Sequence, residues 1–233
     1  MTPVLALPSS LGTTAEMWEP NAGYWSRTFR LVRYTQRGRD SVEKLGRDFL
    51  QLLDDRGLDR VSLCGLSLGG ATAMWVAANA PERIDRLVLA CTSARFGEPG
   101  PWLERAAVVR DQGLEPIADG IVARWFTSAA RPEVVARFRQ VLVDTPRDDY
   151  AACCEALARW DFRDRLGDIR TQTLVLAGAE DPSTPLDHSE LLARELPDAK
   201  LVVLSAAAHL ANVEQAEAFS RLVIEHLASV EVA

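Results

Sequence analysis

The stretch Val61-Ser-Leu-Cys-Gly-Leu-Ser-Leu-Gly-Gly70 restricts the fold of this chain more than any other. An apolar run leads into Gly65-Leu66-Ser67-Leu68-Gly69, and an apolar helix is predicted from about Ala71 to Ala80. Strand, sharp G-x-S-x-G turn and helix together define a nucleophile elbow. The turn forces a strained backbone on Ser67 so that its hydroxyl stands clear of the chain. Small neighbours let the strand and helix approach without a Cβ clash. The helix N-terminus aims backbone N–H groups at the same point, where they favour a developing anion.

The 233 residues suffice for one large α/β domain with an inserted part, and 48% hydrophobic content supplies its core. A net charge of −7 without a basic block argues against nucleic acid as a partner. No apolar run reaches membrane-spanning length, and Met-Thr-Pro-Val-Leu-Ala-Leu carries no basic region before its apolar residues. The expectation is therefore a cytoplasmic protein with no membrane partner. Cys64, Cys91, Cys153 and Cys154 read as buried structural thiols, the first two inside strands. They show neither zinc spacing nor CxxC, and no HxH or HExxH occurs among the three histidines, so no metal is expected. Gly65 to Gly70 lacks dinucleotide spacing, so no cofactor is expected either.

Before the elbow, Val4–Leu7 and Arg30–Tyr34 read as strands, with a short helix and turn across Met17–Trp25. Ser41 caps a helix to about Asp55, in which Val42, Leu45, Phe49, Leu52 and Leu53 recur at helical spacing. After the elbow, Arg86–Cys91 is a strand. This alternation implies a mostly parallel, doubly wound sheet. Gly97–Pro101 reads as a linker, and Trp102 to Arg165 shows only helical periodicity, about four helices without a strand. It is expected to lie as a cap over the C-terminal ends of the strands, where such sheets bind ligands; a separate helical domain is the alternative. The division is a core of residues 1–95 and 168–233 and a cap of 96–167. Strands return at Thr173–Ala177 and Lys200–Leu204, with helices at Leu186–Leu196 and Glu214–Leu227.

Ser67, Asp181 and His209 each follow a strand, in the chain order of the serine triad built on this kind of sheet. A serine hydroxyl needs a base to become a nucleophile. His209 would take its proton and later return it to the leaving group. Asp181 would fix the imidazole tautomer, with Glu180 the competing acid next door. Backbone N–H groups of Leu68, just after the nucleophile, and of Leu11, in the loop after the first strand, are the expected oxyanion donors.

Several longer stretches carry a family resemblance: Ser10-Leu-Gly-Thr-Thr-Ala-Glu-Met-Trp18, Arg124-Trp-Phe-Thr127, Tyr150-Ala-Ala-Cys-Cys-Glu155, Ala177-Gly-Ala-Glu-Asp-Pro182 and Ala208-His-Leu-Ala-Asn-Val-Glu-Gln215. With them the chain resembles the 3-oxoadipate enol-lactonases, within the α/β-hydrolase fold. The resemblance implies hydrolysis of a small enol-lactone carrying a carboxymethyl arm, with Ser67, Asp181 and His209 as triad and Leu11 and Leu68 as oxyanion donors. Trp125 becomes a candidate pocket wall or, equally, a cap-core aromatic. Arg124, Arg95 and Arg37 become candidates for the substrate carboxylate. A carboxylesterase or carbon–carbon hydrolase on the same scaffold, and a binding protein without catalysis, are the rival readings. The family's Asp-Thr-Arg-Gly-His-Gly reads Thr35-Gln-Arg-Gly-Arg-Asp40 here. A shortened loop there leaves Arg30–Tyr34 as a possible open sheet edge, so the chain is expected to be a monomer or a homodimer.

Overall fold

Six short strands form one parallel sheet in the computed structural model, which describes residues 2–228. The strands are β1 (Val4–Pro8), β2 (Arg30–Tyr34), β3 (Val61–Leu66), β4 (Ile84–Ala90), β5 (Thr173–Gly178) and β6 (Ala199–Leu204), in the order β2-β1-β3-β4-β5-β6. β3 and β5 are buried at every position, as strands covered on both faces must be. β2 lies at an edge, and only its Val32 is fully buried.

The chain steps from β1 outward to β2 and then back across β1 to β3. Right-handed crossovers therefore set α1 (Glu19–Trp25) on one face and α2 (Val42–Asp55) and α3 (Leu68–Asn79) on the other. Packing agrees with that division. α2 lies on α3, where a Cβ at Gly46 would sit 2.1 Å from the Trp75 ring. α1 lies on the closing helix α10 (Ala216–Ala228), where Trp18, Trp25 and Phe219 form a buried cluster with centroids 5.9–6.4 Å apart. Buried amides hold the same seam: Asn21 Nδ2 donates to the Asn212 carbonyl at 3.0 Å, and Asn212 Nδ2 to the Met17 carbonyl at 2.9 Å.

No strand interrupts residues 91–172. Four helices fill most of that stretch: α4 (Pro99–Gln112), α5 (Ala118–Val122), α6 (Pro132–Val143) and α7 (Arg147–Arg159). They reach the sheet's C-terminal edge. A Cβ on Gly12, in the loop after β1, would stand 2.6 Å from Leu142 and 3.0 Å from Tyr150. After β5 come α8 (Leu186–Glu195), then β6, and α9 (Ala211–Glu214) before α10. No helix among the described residues is long and apolar enough to cross a membrane.

Some expected boundaries move, for local reasons. The elbow helix starts at Leu68, directly on the nucleophile turn. The Pro99-Gly-Pro101 stretch expected as a linker is instead the first turn of α4; proline fits there because those N–H groups have no helical partner. The closing helix is broken at Gln215, whose ψ of 46° separates α9 from α10. Cys91 lies just beyond β4 rather than within it, at φ +42°. All four cysteines are free and buried.

Candidate active site

Ser67 occupies the turn between β3 and α3 at φ +56°, ψ −118°, a conformation that L-residues rarely adopt. The neighbours make room for it. A Cβ on Gly65 would fall 2.2 Å from the Gly69 carbonyl oxygen, and one on Gly69 would fall 2.7 Å from that of Pro8. The turn is fastened to β4 and the segment after it. Ser67 N donates to the Ala90 carbonyl at 3.0 Å, and Thr92 Oγ1 donates to the Ser67 carbonyl at 2.7 Å.

Asp181 follows β5 and His209 follows β6. Asp181 Oδ2 accepts from His209 Nδ1 at 2.8 Å. A carboxylate can only accept, so Nδ1 carries the proton and Nε2 is left as the basic nitrogen. Both side chains are buried, at 5% and 0% exposure. The rest of the carboxylate is also held. Ser183 N and Thr184 N donate to Oδ1 at 2.7 and 3.1 Å, and Thr184 Oγ1 donates to Oδ2 at 2.6 Å. Burial alone would raise the Asp181 carboxyl. The charge and hydrogen bond of His209, with the Thr184 and Ser183 donors, outweigh it and hold the group below the usual carboxylate range. Glu180, the competing acid, is exposed.

Ser67 and His209 line one pocket between sheet and helical segment, with about 530 Å³ of atom-free space that is partly open to solvent. Among the described residues the Ser67 hydroxyl makes no hydrogen bond, and such contacts commonly tighten only with substrate bound. Leu11 shares the pocket wall, and Leu68 is the first residue of α3. Neither backbone N–H is taken by a protein acceptor among the described residues. The loop bearing Leu11 is braced by Gln36, which stands where the resembling family has threonine. Gln36 Nε2 donates to the Ser9 carbonyl at 2.7 Å, and Gln36 Oε1 accepts from Thr72 Oγ1 at 2.6 Å.

Trp125 lines the pocket and is 5% exposed. Arg124 lines it too, while Nη2 donates to the Pro182 carbonyl at 3.0 Å and ties the cap to the Asp181 loop. The other two arginines expected there are elsewhere. Arg95 pairs with Glu98 at 2.9 Å, and Arg37 is exposed on a turn whose inward-facing side chain is Gln36. Sequence reasoning missed Arg105. It lines the pocket from α4, stacked 4.6 Å over the Trp102 ring and within reach of the buried Tyr150 hydroxyl. Among the described residues no carboxylate pairs with it. Thr184 was missed as well, although a hydroxyl residue three positions after an Asp in a turn is a recognisable capping pattern.

The alpha/beta hydrolase fold family model matches residues 28–216. The chain is 37% identical over 233 residues to 3-oxoadipate enol-lactonase 2 of Acinetobacter baylyi, covering 95% of this chain and 87% of that protein. Among solved structures, the enol-lactonase from Burkholderia xenovorans superposes with a TM-score of 0.95 at 35% identity, covering 98% and 92% of the two chains. A hydrolase from Pseudomonas aeruginosa gives 0.93 at 40% identity, covering 98% and 91%.

Proposed function

This chain belongs to the 3-oxoadipate enol-lactonase family of α/β hydrolases, and on that premise we propose that it opens 3-oxoadipate enol-lactone to 3-oxoadipate, a step of aromatic catabolism, through an acyl-serine intermediate. The reading is carried above all by the Asp181–His209 bond at 2.8 Å, on a pocket shared with a serine held at an elbow. His209 Nε2 takes the Ser67 proton as Oγ attacks the lactone carbonyl. The N–H groups of Leu11 and Leu68 receive the oxyanion. Collapse breaks the ring C–O bond, and the proton on His209 passes to the departing enol oxygen. The enol becomes a ketone, and the acyl chain remains as an ester on Ser67. Water, deprotonated by His209, then frees the second carboxylate and restores the hydroxyl.

The substrate carries a carboxylate before it reacts. Arg105 suits it: a guanidinium on the pocket wall, flattened on Trp102. Charge-assisted bonds of this kind contribute about 1.5–3 kcal/mol, so Arg105→Met is expected to raise KM for the lactone by roughly 10- to 100-fold. Hydrolysis of p-nitrophenyl acetate, which has no carboxylate, should keep its KM.

The deciding assay follows the ultraviolet loss of freshly made enol-lactone with wild type and Ser67→Ala. Turnover by wild type, abolished in the variant, is the expected result. Cleavage of the aryl ester through Ser67 without lactone turnover would keep the hydrolase and discard this substrate.

A further inference from the structure

The segment carrying His209 is not held by regular secondary structure. β6 ends in a turn with Ala206 at φ +51°, and the chain then passes so close to β5 that a Cβ on Gly178 would meet the Ala208 carbonyl oxygen at 2.3 Å. Beyond its own bond to Asp181 and the Leu210 carbonyl that opens α9, two further bonds hold its neighbours. Leu210 N donates to the Trp125 carbonyl at 2.9 Å, and Ala208 N donates to Glu214 Oε2 at 2.7 Å. The other oxygen of Glu214 reaches the cap: Oε1 accepts from Thr127 N at 2.9 Å and from Thr127 Oγ1 at 2.7 Å. One half-buried carboxylate therefore holds the residue before His209 and the residue two after Trp125 together.

The geometry points to Glu214 as a positioning residue that locks the His209 loop to the pocket wall at Trp125, so that base and cap take up their places together. It touches no reacting atom. The inference rests on Ser67, Asp181 and His209 acting as the triad. Its chemistry is specific, because both oxygens face backbone donors. Glutamine has the same shape, yet whichever way its amide turns, its NH2 meets the N–H of Thr127 or of Ala208. Such a clash moves the loop without opening a cavity, and small displacements of a general base are costly in rate.

The test compares wild type, Ser67→Ala, Glu214→Gln, Glu214→Asp, Thr127→Val and the Glu214→Gln/Thr127→Val double variant, on the enol-lactone and on p-nitrophenyl acetate. Near-ultraviolet circular dichroism checks folding. Folded Glu214→Gln should lose about tenfold or more in kcat on every ester that wild type cleaves, with KM for the aryl acetate within about twofold of wild type. Glu214→Asp, which restores both acceptors on a shorter arm, should recover part of that loss. The Thr127→Val loss should be smaller and should not add in the double variant. Wild-type kcat in folded Glu214→Gln, or a loss confined to the lactone KM, would overturn the proposal. If Glu214→Gln does not fold, unchanged kcat in Thr127→Val overturns it and a lowered kcat on the aryl acetate supports it. Undiminished activity in Ser67→Ala would instead strike down the triad reading and this inference with it.

Discussion

Asp181 receives four donors: two backbone N–H groups, one hydroxyl and one imidazole. Asparagine keeps its size and loses this capacity, since the NH2 must face at least one donor and no longer selects the Nδ1–H tautomer. Asp181→Asn is expected to lower kcat about 10³- to 10⁴-fold with little change in KM, checked by steady-state kinetics on either ester. Because the folded carboxyl lies below its ordinary range, its stabilising effect is present above about pH 4 and is lost only as pH falls through the folded value. The placement of Ser67, Asp181 and His209 beyond the ends of β3, β5 and β6 was legible because each comes within a few residues after a strand. Arg105 was not, because its helix reaches the pocket only through tertiary packing, and one arginine among the many between Trp102 and Arg165 reads as solvated surface. Arg95 misled for the converse reason: it is near the site in sequence but is paired with Glu98.

Elements here are fixed by close approach more than by intrinsic preference. The β3–α3 junction has no space for a methyl group at Gly65, since the nearest atoms are backbone of Gly69 and Gly70 at 2.2–2.7 Å. Gly65→Ala must therefore shift the helix. It is expected to destabilise by about 3 kcal/mol or more, read as a lowered urea midpoint, and to reduce activity in whatever remains folded. The far end of the molecule carries a pH-dependent fastening. His226, in α10, donates from Nε2 to the Leu87 carbonyl at 3.0 Å. Burial holds its imidazole below the ordinary value, against the pull of that carbonyl. The unfolded chain thus takes up the proton first as pH falls, so stability drops below about pH 6.5 and levels off beneath the folded value. His226→Gln keeps a donor and removes the titration, so its Tm should fall less steeply than that of wild type between about pH 7 and pH 5. Strands β3 and β5 were readable from runs that are apolar nearly throughout. The start of α4 was not, because Pro-Gly-Pro is equally good chemistry for a linker and for a helical first turn.

Across the described residues, sulfur is kept from solvent. Cys64, Cys91, Cys153 and Cys154 are each at most 2% exposed, and burial pushes all four thiols up. Thiolate is the reactive form, so the folded protein should give almost no reaction with Ellman's reagent, and the unfolded chain should give four equivalents. The layered plan was legible because alternating strands and helices leave few topologies for a parallel sheet. The way the helical segment closes over the strand ends was not. Several of its contacts join residues far apart in the chain, from 58 positions for Arg124 and Pro182 to more than a hundred for Gly12 and Leu142.

A sheet with every strand running the same way gives the molecule two unlike poles. Ser67, Asp181 and His209 stand at one. The bends that feed the strands, such as Arg56–Gly57 ahead of β3, stand at the other. Gly57 is exposed, at φ +61°, with no atom within 4 Å of where a Cβ would be. A tether or fused partner attached at that bend would hold the enzyme by its blunt end and leave its mouth facing the solution, a ready orientation for a surface-bound catalyst.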